Sequence, residues 1–224
     1  MCAAPTASRL RTSSGPSPPS STCVSPEVRG LAARSGIGMT PFTMWGIRPP
    51  RLPALPLVSR SHELNVRTYV HRDGIPGVWF LSLDASNPLA VLAARVGFHL
   101  PYFHARMRLH AAGPAIGFSS RRRHPGAPEA ALEAAWSRGE PLGTAQPDTL
   151  DFFLVERYCL YAARGRRLYR ARIHHAPWPL HRAELTRYSS TMLQSHGLPA
   201  PGDDPLLHAQ GEPLTVGIWP LKRA

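Results

Sequence analysis

Between Glu63 and Val70 apolar and polar side chains alternate. Leu64, Val66, Thr68 and Val70 fall on one side, Glu63, Asn65, Arg67 and Tyr69 on the other. A period of two is that of a β-strand. The next residues, His71-Arg-Asp-Gly-Ile-Pro-Gly, contain Asp73-Gly74, a pair that tight hairpin turns favour. Val78–Leu83 is therefore expected to return beside the first strand. Apart from Ser82 it is apolar on both faces, as a central strand is. Asp84-Ala-Ser-Asn-Pro then predicts a helix start, with Ser86 or Asn87 as N-cap and Pro88 where a missing N–H costs nothing. That helix, Pro88 to Val96, is almost wholly apolar or Ala, so it is expected to be buried, with Gly97 closing it. Alternation resumes at Tyr102–Leu109, where Tyr102, His104, Arg106 and Arg108 oppose Phe103, Ala105, Met107 and Leu109. Ile116–Ser120 reads as a short strand running into the basic loop Arg121–Arg123, and Pro128–Trp136 as an Ala-rich helix.

The last third returns to β. Phe152–Tyr161 and Leu168–His175 form a predicted hairpin through Ala163-Arg-Gly-Arg-Arg. Ala176-Pro-Trp-Pro breaks the ladder, residues 196–206 form a loop, and Leu214–Trp219 is the expected closing strand. Strands and helices do not alternate, so the pattern predicts an α+β, mainly antiparallel fold with two inserted helices, not a doubly wound sheet.

Residues 1–38 differ from all this. They hold eight Ser, five Pro and four Arg against a single acid, Glu27, and no aromatic residue. Such a segment buries too little apolar surface to offset its ordering entropy and is expected to be a disordered tail. A transit peptide and a faulty start or shifted frame are alternative readings, the latter leaving the sheet short of its first strands. From Met39 the domain, 39–224, begins, with a proline-punctuated connector from Trp45 to Pro56 that cannot hold a central strand.

The net charge is +12, and every one of the 26 cationic residues except Lys222 is arginine. Guanidinium cannot act as an amine nucleophile, so amine chemistry is nearly absent from the chain. The arginines are spread along the sequence rather than gathered, which argues for a solvated basic surface over a nucleic-acid partner. Cys2, Cys23 and Cys159 are too scattered for a disulfide framework or a zinc site. No stretch is long and apolar enough to span a membrane, and a cytoplasmic location is the default expectation. No cofactor motif is present.

Three stretches resemble the YqjF-like family, a domain of unknown function: Glu63-Leu-Asn-Val-Arg-Thr-Tyr-Val; Gly77-Val-Trp-Phe-Leu-Ser-Leu-Asp-Ala continuing to His99-Leu-Pro-Tyr; and Glu156-Arg-Tyr-Cys-Leu-Tyr with Leu168-Tyr-Arg and Ile173-His-His-Ala-Pro-Trp-Pro-Leu. That family is similar in fold to acetoacetate decarboxylases, and the resemblance implies a barrel- or cone-like sheet around an internal cavity. In the decarboxylases a lysine pair follows the proline that matches Pro101, and one lysine forms a Schiff base. Here those positions are Tyr102 and Phe103, and Lys222 lies in another element. The resemblance thus implies a cavity without imine chemistry.

If the polar sides of the strands turn inward, Glu63 becomes a buried carboxylate able to act as acid or base; it also matches a Glu of the decarboxylases. Arg67, Tyr102, His104, Arg106 and Arg157 would then suit a small carboxylate or phosphate. The structural alternative is arginine stems lying over the outside of the sheet. His174 and His175 are adjacent on a strand, point to opposite faces and cannot share one metal ion; His174 and Trp178 are kept as pocket candidates. The leading expectation is a small-molecule-binding domain of undefined catalysis and oligomeric state. The alternatives are a basic nucleic-acid-associating protein, which needs Arg121–Arg123 and Arg164–Arg167 in one patch, and a non-functional fragment of a YqjF-like protein.

Overall fold

The computed structural model describes residues 36–47, 60–200 and 208–224. The expected tail, up to residue 35, and most of the connector lie outside the described residues. In order, the elements are β1 (Gly38–Trp45), β2 (Arg60–Arg72), β3 (Ile75–Ala85), α1 (Pro88–Phe98), β4 (Tyr102–Ala112), β5 (Ala115–Arg122), β6 (Ala131–Thr144), α2 (Leu150–Val155), β7 (Cys159–Arg164), β8 (Arg167–His174) and β9 (Pro179–Ser190). A 3-10 turn at Gln194–His196 and the short strands β10 (Ala209–Gly211), β11 (Gly217–Ile218) and β12 (Lys222–Arg223) complete the chain. The fold is α+β, one mainly antiparallel sheet carrying two helices among the described residues.

β3 is where the sheet branches. Along one side it pairs antiparallel with β2, from Glu63↔Ala85 to Arg72↔Ile75. Its other side is shared: Val78 and Trp79 run parallel to Leu160 and Tyr161 of β7, whereas Leu83–Ala85 run parallel to Tyr102–His104 of β4. One arm continues through β7, β8 and β11, the other through β4, β5, β6, β9 and β10. Val66 faces Ser82 while Arg67 faces Phe80, so Leu81 is an extra residue, a bulge at the branch. The longer arm curls until β9 reaches β1, where the Tyr188 hydroxyl lies 3.6 Å and the Ser190 hydroxyl 3.8 Å from the Met39 sulfur.

Each face of β2 is buried against a different core. Leu64 and Val66 join Phe118, Leu132, Ala134 and Met192 inside the curl. On the opposite face Tyr69 joins Val78, Phe80, Leu83, Leu100 and Leu160. Glu63, Asn65 and Arg67 share the Tyr69 side by strand alternation, so the ionic side of β2 turns inward.

Four expectations are corrected. Residues 128–136 are not a helix: Ala131 opens β6, with Ala130, Leu132 and Ala134 buried and Glu133 exposed. Pairing to β5 and β9 on both sides overrides the helix preference of alanine. Residues 152–161 are not one strand, because Thr149 caps the short helix α2 by accepting from the Phe152 N–H and only Cys159 begins β7. Asn87 caps α1 and His99, in the left-handed conformation, ends it after Phe98. Yet α1 is not buried: Val91 alone is, while Leu89, Leu92 and Val96 are each more than half exposed, at 52%, 61% and 69%. The expected strand 214–219 shrinks to Gly217–Ile218.

Candidate functional site

Glu63 on β2 is 2% exposed, and the hydroxyl of Tyr102, at the start of β4, donates to its Oε2 at 3.3 Å. The parallel register Leu83↔Tyr102 and Ala85↔His104 sets the start of β4 beside the end of β3 whose Ala85 lies opposite Glu63. Burial pushes the Glu63 carboxyl up to about 8, only partly opposed by the Tyr102 hydrogen bond. The same burial, with Glu63 beside it, holds Tyr102 well above the ordinary phenol range. At neutral pH the pair is therefore uncharged, a carboxylic acid against a phenol.

Two rungs along β2, Arg67 meets Arg157. Their guanidinium carbons stand 5.7 and 5.6 Å from the ring centre of Tyr69, and Arg157 also lies 4.3 Å over Phe153. Arg67 Nη2 donates to the Leu154 carbonyl at 3.0 Å, and Arg157 Nη1 to the Glu156 carbonyl at 3.0 Å. Among the described residues no carboxylate pairs with either, and the Nε of each has no partner. Asn65 Oδ1, between Glu63 and Arg67 on the strand, is likewise unpartnered there. Burial lowers the Arg157 pKa, and neighbouring Arg67 adds to the effect. Arg157 does not lie on a strand as expected; it sits in the link from α2 to β7.

The other candidates are elsewhere. His104 is half-buried, its N–H donating to His124 Nδ1 at 3.2 Å. Arg106 is exposed and outside the group, because β4 leaves the covered part of the sheet after Ala105. His174 is exposed and His175 buried, in keeping with their opposite directions. His174 instead lines a cleft of about 450 Å3 with Tyr158, Arg172, Ile173 and Trp219. Trp178 packs on the His175 ring at 5.3 Å, and its backbone N–H donates to Glu156 Oε1 at 3.0 Å.

Sequence reading missed a second buried ionic group. Arg122 of β5 grips Asp84 of β3 through Nε and Nη2, the shortest contact being 2.7 Å, with both side chains almost fully buried. Phe103 stacks on the guanidinium at 4.1 Å. Beside them His196 Nε2 lies 3.0 Å from the Ser82 hydroxyl. Burial and Arg122 lower the His196 pKa. Asp84 was expected to open the helix start Asp84-Ala-Ser-Asn-Pro; its place at the end of a strand apolar on both faces was the available signal. Within the run Arg121–Arg123, Arg122 points inward and Arg121 and Arg123 are exposed.

The family model described as uncharacterized conserved protein (COG2071), DUF2071, matches residues 28–212. The chain belongs to the DUF2071 family. A relative, the uncharacterized protein YqjF of Bacillus subtilis (strain 168), is 43% identical over 187 residues, covering 84% of this chain and 76% of YqjF. Among solved structures, this DUF2071 chain is similar to the acetoacetate decarboxylase of Legionella pneumophila, with a TM-score of 0.43 and 11% identity over 84% of this chain and 82% of that one. It is also similar to the enduracididine biosynthesis enzyme MppR complexed with pyruvate, with a TM-score of 0.43 and 14% identity over 73% of this chain and 62% of that one. The DUF2071 match takes in β1 to β10 and both the Glu63–Tyr102 and Arg67–Arg157 groups, but stops short of Trp219. No helix among the described residues is long and apolar enough to cross a membrane.

Proposed function

We propose that this DUF2071 protein binds a small organic anion, a carboxylate or phosphate, between Arg67 and Arg157. The observation that carries the reading is the pair of inward guanidiniums around one tyrosine ring with no carboxylate to neutralise them among the described residues. Two like charges withdrawn from water repel each other and lose hydration. An anion between them relieves both costs and offers acceptors to two unpartnered Nε–H groups. The Glu63–Tyr102 pair supports the same reading, since a neutral acid adds no competing negative charge on that side of β2. A keto acid held here would be bound without an imine: Tyr102 and Phe103 stand where the decarboxylase resemblance places lysines, and Lys222 lies on β12.

The test is thermal unfolding with phosphate, acetate and pyruvate. Ligand at about a hundred times its Kd stabilises the folded state by roughly 2.7 kcal/mol. The reading expects a rise in Tm for at least one anion, lost in both Arg67→Gln and Arg157→Gln. A rise that survives both substitutions, or no rise with any of the three, overturns it. Borohydride added with pyruvate is expected to leave the side chains unmodified by mass.

A further inference from the structure

The cleft on the outer side of β8 belongs to neither group above. Its walls are two aromatic rings that stand in solvent and are nevertheless fixed. Tyr158 is 40% exposed, but its hydroxyl donates to the buried Glu156 carboxylate, and His175 stacks on its ring at 4.7 Å and 24°. Glu156 is itself held by the Trp178 N–H. Trp219 is 46% exposed, and its backbone N–H donates to the Arg172 carbonyl at 3.0 Å. Its indole lies so close over Gly217 that a Cβ there would come within 3.3 Å of the ring. His174 meets the indole edge-on at 6.4 Å. Arg172, with its guanidinium 5.8 Å from the Trp219 ring centre, has no carboxylate partner among the described residues.

Exposed large aromatics lose the benefit of burial, and holding them still adds an entropic cost. A surface that does both around an unneutralised arginine is preorganised for a ligand with a flat apolar part and a negative charge. We infer that the cleft of Tyr158, Arg172, His174 and Trp219 is a binding site for a planar aromatic anion, with the ring against Trp219 and the anionic group on Arg172. The residues that line the cleft include neither Arg67 nor Arg157, and Trp219 lies beyond the residues that the family model matches.

Calorimetric titration of the full chain separates the parts of the ligand. The probes are adenosine 5′-monophosphate and indole-3-acetate, each compared with its uncharged ring, adenosine or indole, and with phosphate and acetate alone. At least one ring-bearing anion is expected to bind ten times or more tighter than either of its halves. Arg172→Gln and Trp219→Leu, both at exposed positions, should each weaken it tenfold or more without lowering the Tm of the free protein. Arg67→Gln should leave it unchanged, which keeps the two proposals distinguishable. Equal affinity for the ring with and without charge, retention of binding in either cleft variant, or binding of neither ring-bearing anion overturns the inference.

Discussion

Glu63 makes the stability of this protein depend on pH in a direction opposite to that of an ion-paired carboxylate. Its folded-state pKa is raised from 4.5 to about 8. Below about 4.5 it is neutral in both folded and unfolded chains and exerts no effect. As pH rises through the window from 4.5 to 8, the unfolded chain releases its proton while the folded one must keep it. Stability therefore falls by about 1.4 kcal/mol per pH unit, to a ceiling of roughly 5 kcal/mol above pH 8. Glu63→Gln keeps the shape and removes the proton. The variant should match the parent protein near pH 5 and exceed it by several kcal/mol at pH 8.5, on the order of 10 °C in Tm for a domain of this size. The assay is urea or thermal unfolding of both proteins across that range, read as their difference so that groups common to both cancel. Parallel curves, or a variant less stable at pH 8.5 than the parent, would refute the argument and place a charged Glu63 inside the fold.

Three other outcomes follow from the geometry. Asp84→Asn leaves Arg122 charged and unneutralised in the core and should cost about 3–5 kcal/mol, measured by denaturant unfolding; Asp84→Asn combined with Arg122→Met should recover much of it. Gly77→Ala places a Cβ 2.7 Å from the Cys159 carbonyl and 2.8 Å from a Tyr161 ring carbon, so the β3–β7 junction must shift. A loss of about 1–3 kcal/mol in the same assay is expected. Leu92→Ala on α1 should cost under about 1 kcal/mol, against roughly 2–5 for a buried leucine, because that side chain faces outward.

Local pattern was enough to identify several elements. The alternation of Glu63–Val70, the Asp73-Gly74 turn and the Asn87-Pro88 start all produced the elements they predict, because each depends on neighbours in sequence. The inward direction of Glu63 and Arg67 was legible only as a choice of face. Where pattern failed, a distant strand had decided. The alanines of β6 carry too little side chain to display their period of two, and they became a strand through β5 and β9. Apolar α1 was read as buried because hydrophobicity says what a helix could cover, not whether anything lies over it.

Sequence alone thus determined the α+β class, the YqjF-like resemblance now shown as DUF2071 membership, and the near absence of amines, since these reside in composition and in the order of residues. Tertiary structure alone decided which charges meet. Asp84 with Arg122 and Arg67 with Arg157 are joined by the branching of one sheet at β3. The distance between side chains so far apart in the chain is fixed by strand register, which no local pattern encodes.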